Sequence, residues 1–163
     1  MSRIITEEMV REGVRLAMPA IDAILAKEGT TWGPKLVMWC VKIPGSENDI
    51  HGESFGESAR WTDKNWEEGW ESTGKFLAIA RKKLAVAERE RIATSVVAAT
   101  RPWCLEEGEF LYPGGVYCDG VSVAVSGAKG ETDEAIAWLI LNAILMLTNL
   151  DARKRIEEKQ MEI

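Results

Sequence analysis

Apolar positions near the start of the chain recur at three- and four-residue steps. Val10, Val14, Ala17, Ile21, Ile24 and Leu25 make one stripe, Thr6 precedes it as an N-cap, and Glu7 and Glu8 sit in the first turn, where carboxylates favour the helix dipole. The pattern predicts an amphipathic helix ending near Gly29, kinked between Arg15 and Pro19 because Pro19 removes an internal amide. Residues 35–43 (KLVMWCVKI) are a short apolar run between the pairs Gly33, Pro34 and Pro44, Gly45, the signature of a buried strand. Residues 44–61 mix glycines, serines, acids and the only histidine without a sustained period, and read as a long surface loop or an irregular hairpin.

Helix formers dominate residues 62–100, with Phe76, Leu77, Ala80, Leu84, Ala87, Ile92 and Val96 set for an inward face. Gly69 and Gly74 are placed to split that stretch into a short helix and a long one, and Arg101 with Pro102 closes it. Across residues 108–130 the turn formers Gly114, Gly115, Asp119, Gly120, Ser126 and Gly127 surround the alternating Val121, Val123 and Val125, which predicts short strands joined by tight turns. Thr132 is positioned to cap a final helix that opens with Asp133 and Glu134 and carries Arg153, Lys154 and Arg155 towards its far end. The order helix, strand, loop, helices, strands, helix packs most simply as an α+β domain with a small antiparallel sheet.

Composition changes this picture in four ways. A length of 163 residues suits one domain spanning 1–163, and 46% hydrophobic with 28% charged residues supports a true core. A net charge of −6 removes the attraction to phosphate on which most nucleic-acid binders rely, so no nucleic-acid partner is expected. Cys40, Cys104 and Cys118 are odd in number and lack C-x-x-C spacing, which favours a reducing, cytoplasmic setting over a disulfide framework or a zinc site. Charges within the first ten residues interrupt the apolar stretch an export signal needs, and the most hydrophobic segment, 135–147, is shorter than the ~20 residues of a bilayer span, so no membrane association is expected. That segment is apolar on nearly every side, and a helix of that kind must be covered all round, which predicts a homo-oligomer.

His51 is the only imidazole, so histidine-dependent nucleophilic chemistry must use it and a multi-histidine metal site is excluded. The same residue is the candidate general base or axial haem ligand. Cys40 reads as a core residue, while Cys118 lies close to the glycine pair Gly114 and Gly115, whose backbone allows close approach of a ligand. Glu131 and Asp133 at the start of the last helix are candidate acid/base groups, with Lys82 or Lys83 supplying positive charge to a substrate carboxylate. Losing Asp133 as an exposed first-turn acid is expected to cost only about 0.3–1 kcal/mol. Trp61, Trp66 and Trp70 are available for packing or for an aromatic wall.

The segment GGVYCDGVSVAVSGAKGETDE at 114–134 resembles the end of the GlcG/HbpS-type family, which includes the haem-binding domain attached to some corrinoid adenosyltransferases. Members show a Gly-Gly turn, a strand reaching Val-Ser-Gly, and an acidic start to the last helix. Lys82 or Lys83 before its alanine-rich stretch is similar to the family's central Lys-Ala helix. The chain departs from the family in having Val41, Lys42, Ile43, Pro44 and Gly45 in place of a Val-Asp-x-x-Gly element, and Tyr117 in place of a proline. The resemblance implies a profilin-like sheet flanked by helices, assembled into dimers or larger oligomers, with haem bound in some members. Gly114, Gly115, Tyr117 and Cys118 would then line a ligand site faced by Lys83. Two functions stand open: a binding module for haem or another planar small molecule, and a small-molecule lyase, isomerase or hydrolase using the same pocket.

Overall fold

The chain threads a four-stranded sheet between two layers of helix, seen here in a computed structural model that describes residues 4–27, 36–55, 63–109 and 112–161. For residues 36, 53–55, 63–75, 160 and 161 it describes the backbone alone. The first helix, α1 (Glu7–Lys27), starts where the sequence places it: the Met9 amide donates to Thr6 Oγ1 at 3.2 Å and the Val10 amide to the Thr6 carbonyl at 3.1 Å. The helix runs through Pro19 without ending there. Gly29, Gly33, Pro34, Trp32 and Trp61 lie outside the described residues, as do the side chains of Trp66 and Trp70.

Strand β1 (Leu36–Lys42) pairs antiparallel with β2 (Ile50–Phe55) and with β4 (Val121–Ser126), and β3 (Gly115–Cys118) completes the order β2-β1-β4-β3. Asp119 and Gly120, at φ of 52° and 86°, make the left-handed two-residue turn between β3 and β4. All six β4 residues are buried, because helices cover both faces of this central strand. As far as Phe55, residues 44–61 thus take the hairpin reading and not the loop, and His51 sits on β2, the second strand of that hairpin. An edge strand with one exposed side carries few apolar residues, which is why its period was invisible.

Helix α2 (Asp63–Glu90) is continuous, so Gly69 and Gly74 do not divide it. The break falls at Arg91, whose φ of 57° reverses the backbone before α3 (Thr94–Thr100). Val96, expected inside, is exposed on α3. A short 3-10 turn, Pro102–Cys104, follows, and α4 (Gly130–Met161) ends the fold. Thr132 is not its cap; the Asp133 carboxylate instead accepts from the Ala128 amide at 2.9 Å, just before the helix.

Strand alternation sorts the core into two layers. Val37, Trp39, Val41, Val121, Val123 and Val125 face α1 and α4, while Cys40 and Ala124 face Ala80 and Leu84 of α2. Over Gly130–Lys159, α4 is long and apolar enough to cross a membrane by length and composition, unlike 135–147 alone, but one face packs on α1 and the sheet.

Candidate functional site

Register places two clusters on the α2 face of the sheet. Cys40 pairs with His51 of β2 on one side and with Ala124 of β4 on the other, and Ala124 pairs with Gly115 of β3. His51, Cys40, Ala124 and Gly115 are therefore one cross-strand row, with His51 and Gly115 at its two ends. Three inter-strand steps put them about 14 Å apart. Helix α2 lies across the row, packing Ala80 and Leu84 on its centre. Burial beneath α2 pushes the Cys40 thiol well above the ordinary range, aided by the nearby Asp49 carboxylate, and it stays protonated as a core residue.

At the Gly115 end, the Lys83 ammonium is held by two partners. Its Nζ donates to the Val125 carbonyl at 3.0 Å and to Asp133 Oδ2 at 2.9 Å, with both charged side chains only 3% exposed. A Cβ at Gly114, where φ is +137°, would lie 2.6 Å from Lys83 Nζ and 2.7 Å from the Val125 oxygen. One at Gly115 would lie 2.6 Å from the Lys83 carbonyl oxygen and 2.8 Å from Thr94 Cγ2. The glycine pair is thus required by Lys83 and Thr94 themselves, and the Thr94 hydroxyl accepts the Gly115 amide at 3.0 Å. Sequence reasoning placed Lys83, Asp133, Gly114 and Gly115 together, and they meet. Asp133, however, is not an exposed first-turn acid: it is buried, and its two oxygens tie Ala128 and Lys83.

The other candidates scatter. Tyr117 shares the Gly115 side of β3, while Cys118 packs against the α1 and α4 layer, because neighbouring strand residues point to opposite faces. Glu131 is exposed on the first turn of α4. Glu134 is absorbed by α3, accepting the Ser95 hydroxyl at 2.6 Å and the Ser95 amide at 3.3 Å.

At the His51 end the groups are open. Arg81 of α2 donates through Nε to Asp49 Oδ2 at 3.0 Å, and its terminal nitrogen lies 3.4 Å from His51 Nδ1. Asp49 Oδ2 is 3.9 Å from the same imidazole nitrogen. Among the described residues Nε2 makes no hydrogen bond. A depression of about 380 Å³ between the start of α1 and the β1–β2 hairpin is bordered by His51, Asp49, Asn48, Ser46 and Ile43, with Arg11 and Glu7 across it. Arg81 was not singled out from the sequence. Asp49 is two residues before His51, but only the packing of α2 brings Arg81 to them.

These arrangements define an α+β protein with a four-stranded antiparallel sheet, one polar cluster locked inside and one open at a sheet edge. The fold is similar to that of a solved structure described as the crystal structure of a PduOC:heme complex, with a TM-score of 0.52 and 17% identity over 86% of this chain and 95% of that one. No family model matches the chain, and no curated protein matches it.

Proposed function

We propose that the protein binds a small planar ligand, haem or a comparable molecule, at the β2 edge, with His51 as the side chain that meets it. The observation that carries this reading is the place of His51 among the residues bordering the depression, with its Nε2 making no hydrogen bond among the described residues. The fold it shares with a chain solved in complex with haem supports the choice of ligand class. Ligation through Nε2 would require the ring proton on Nδ1, directed to Asp49, whose carboxylate lies 3.9 Å away, in place of the Arg81 contact; Arg11 borders the depression, where it would meet acidic substituents. Bound haem would supply an iron centre able to take further axial ligands and exchange an electron.

The acid–base enzyme reading receives less support, because Lys83 and Asp133 neutralise each other in a filled space where a substrate would have to displace them. Titrating the full chain with haemin should give a saturable shift of the Soret band at one haem per chain. A spectrum that tracks free haemin, without saturation, overturns the proposal.

A further inference from the structure

We infer that Trp39 gives the β2-edge site a second contact, its indole N–H donating to an oxygen on a short side arm of the bound ligand. The inference rests on the site proposed above and narrows its ligand class to planar molecules whose arms carry a carboxyl or carbonyl oxygen. Trp39 is 4% exposed, and its Nε1 is buried with no hydrogen bond among the described residues. A buried donor left unmade costs free energy that a phenylalanine at the same place would avoid, so packing alone does not account for the indole.

Register gives the place of that donor. Trp39 pairs with Gly52, the residue after His51, and a Cβ at Gly52 would lie 2.6 Å from Trp39 Cζ2, 3.0 Å from Cε2 and 3.3 Å from Nε1. The edge of the indole that carries Nε1 therefore faces the backbone of the edge strand. Ile50 is the next β2 residue on the same face, about 7 Å along the strand, and it borders the depression. It is half-buried and packs on the core that includes Trp39, so rotation of this one side chain opens a way from the depression to the indole. His51, between the two, turns to the other face. The depression is bordered by both Ile50 and His51 and so reaches around the edge of the sheet. A ligand held at His51 meets no side chain at Gly52, and there an arm can pass round the strand.

A water molecule fits this place poorly. It needs two or more polar partners, whereas Val37 and Val41 beside Trp39 on β1 and Val125 opposite it on β4 are apolar. One donor among apolar walls suits one acceptor oxygen at the end of a hydrocarbon arm.

Soret titrations with haemin, whose longest arms end in carboxyl groups, and with ferric etioporphyrin, whose arms are all hydrocarbon, separate this contact from the ring. The parent should bind haemin more tightly than etioporphyrin. Trp39→Phe should lose about tenfold in haemin affinity, the worth of one hydrogen bond, while its etioporphyrin affinity and circular dichroism stay as in the parent. Equal losses for both porphyrins would mark a structural role for Trp39 and overturn the inference, and so would a variant that keeps the parent's preference for haemin. A parent that binds the two alike overturns it too and leaves the His51 site standing. A parent that binds neither fails at the site itself and takes the inference with it.

Discussion

Lys83 Nζ and Asp133 Oδ2, fifty residues apart in sequence, lie 2.9 Å apart with both side chains sealed from solvent. The pair joins α2 to the start of α4, and the Val125 carbonyl ties it to the end of β4. Its position beside Gly114 and Gly115 gives the glycine-rich segment a structural purpose.

Removing one partner leaves a buried charge without its counterion. Lys83→Met or Asp133→Ala alone should therefore lower stability by about 3–5 kcal/mol, and the double variant Lys83→Met/Asp133→Leu should recover most of it. Thermal unfolding checks this, since each kcal/mol moves Tm by about 2–4 °C in a chain of this size. Single variants with unchanged Tm would mean that the pair does not hold the fold.

Gly114→Ala should destabilise by at least about 1–3 kcal/mol, because the methyl group meets the Val125 carbonyl and the Lys83 ammonium in a backbone conformation unsuited to side chains. Urea unfolding midpoints measure it. A parent-like midpoint would show that the space is open.

Acid should loosen the segment after α3 first. Arg89 grips Glu109 through two hydrogen bonds, at 2.8 and 2.9 Å, and also holds the Cys104 carbonyl, at 2.9 Å. The Arg89 hydrogen bonds hold the Glu109 carboxyl below its usual value of 4.5. A carboxylate lowered on folding stabilises fully above its unfolded value and loses that contribution as pH falls through the folded one. The Tm advantage of the parent over Glu109→Gln should stay constant down to about pH 5 and shrink below 4.5. An advantage independent of pH would exclude the ion pair as its cause.

In the proposed site Asp49, whose carboxylate lies 3.9 Å from His51 Nδ1, would orient the ring and not touch the ligand. Asp49→Ala should weaken haemin affinity by roughly 10–100-fold while leaving a shifted Soret band at saturation. Equal affinity in spectroscopic titrations would remove Asp49 from the site.

The cap at Thr6, the stripe of α1, strand β1 and the turn at Asp119 and Gly120 were legible because each depends on neighbours in sequence. Strand β2 was hidden by its composition: Gly52 is there because the Trp39 ring covers it, 2.6 Å from where a Cβ would sit, and no local pattern announces that. The left-handed residue ending α2 is Arg91, not one of the glycines that usually signal a break. Asp133 looked like any first-turn acid, and only Lys83 arriving from α2 makes it a buried partner. The union of Lys83 with the glycine pair was expected from family resemblance alone, and Arg81 beside His51 from nothing in the sequence.

The central claim is that His51 meets the ligand, and the haemin spectrum of His51→Ala tests it most directly. The account predicts loss of the shifted Soret band with unchanged circular dichroism, since an exposed edge-strand side chain adds little to stability. A variant that binds haemin with the parent's spectrum and affinity would contradict it.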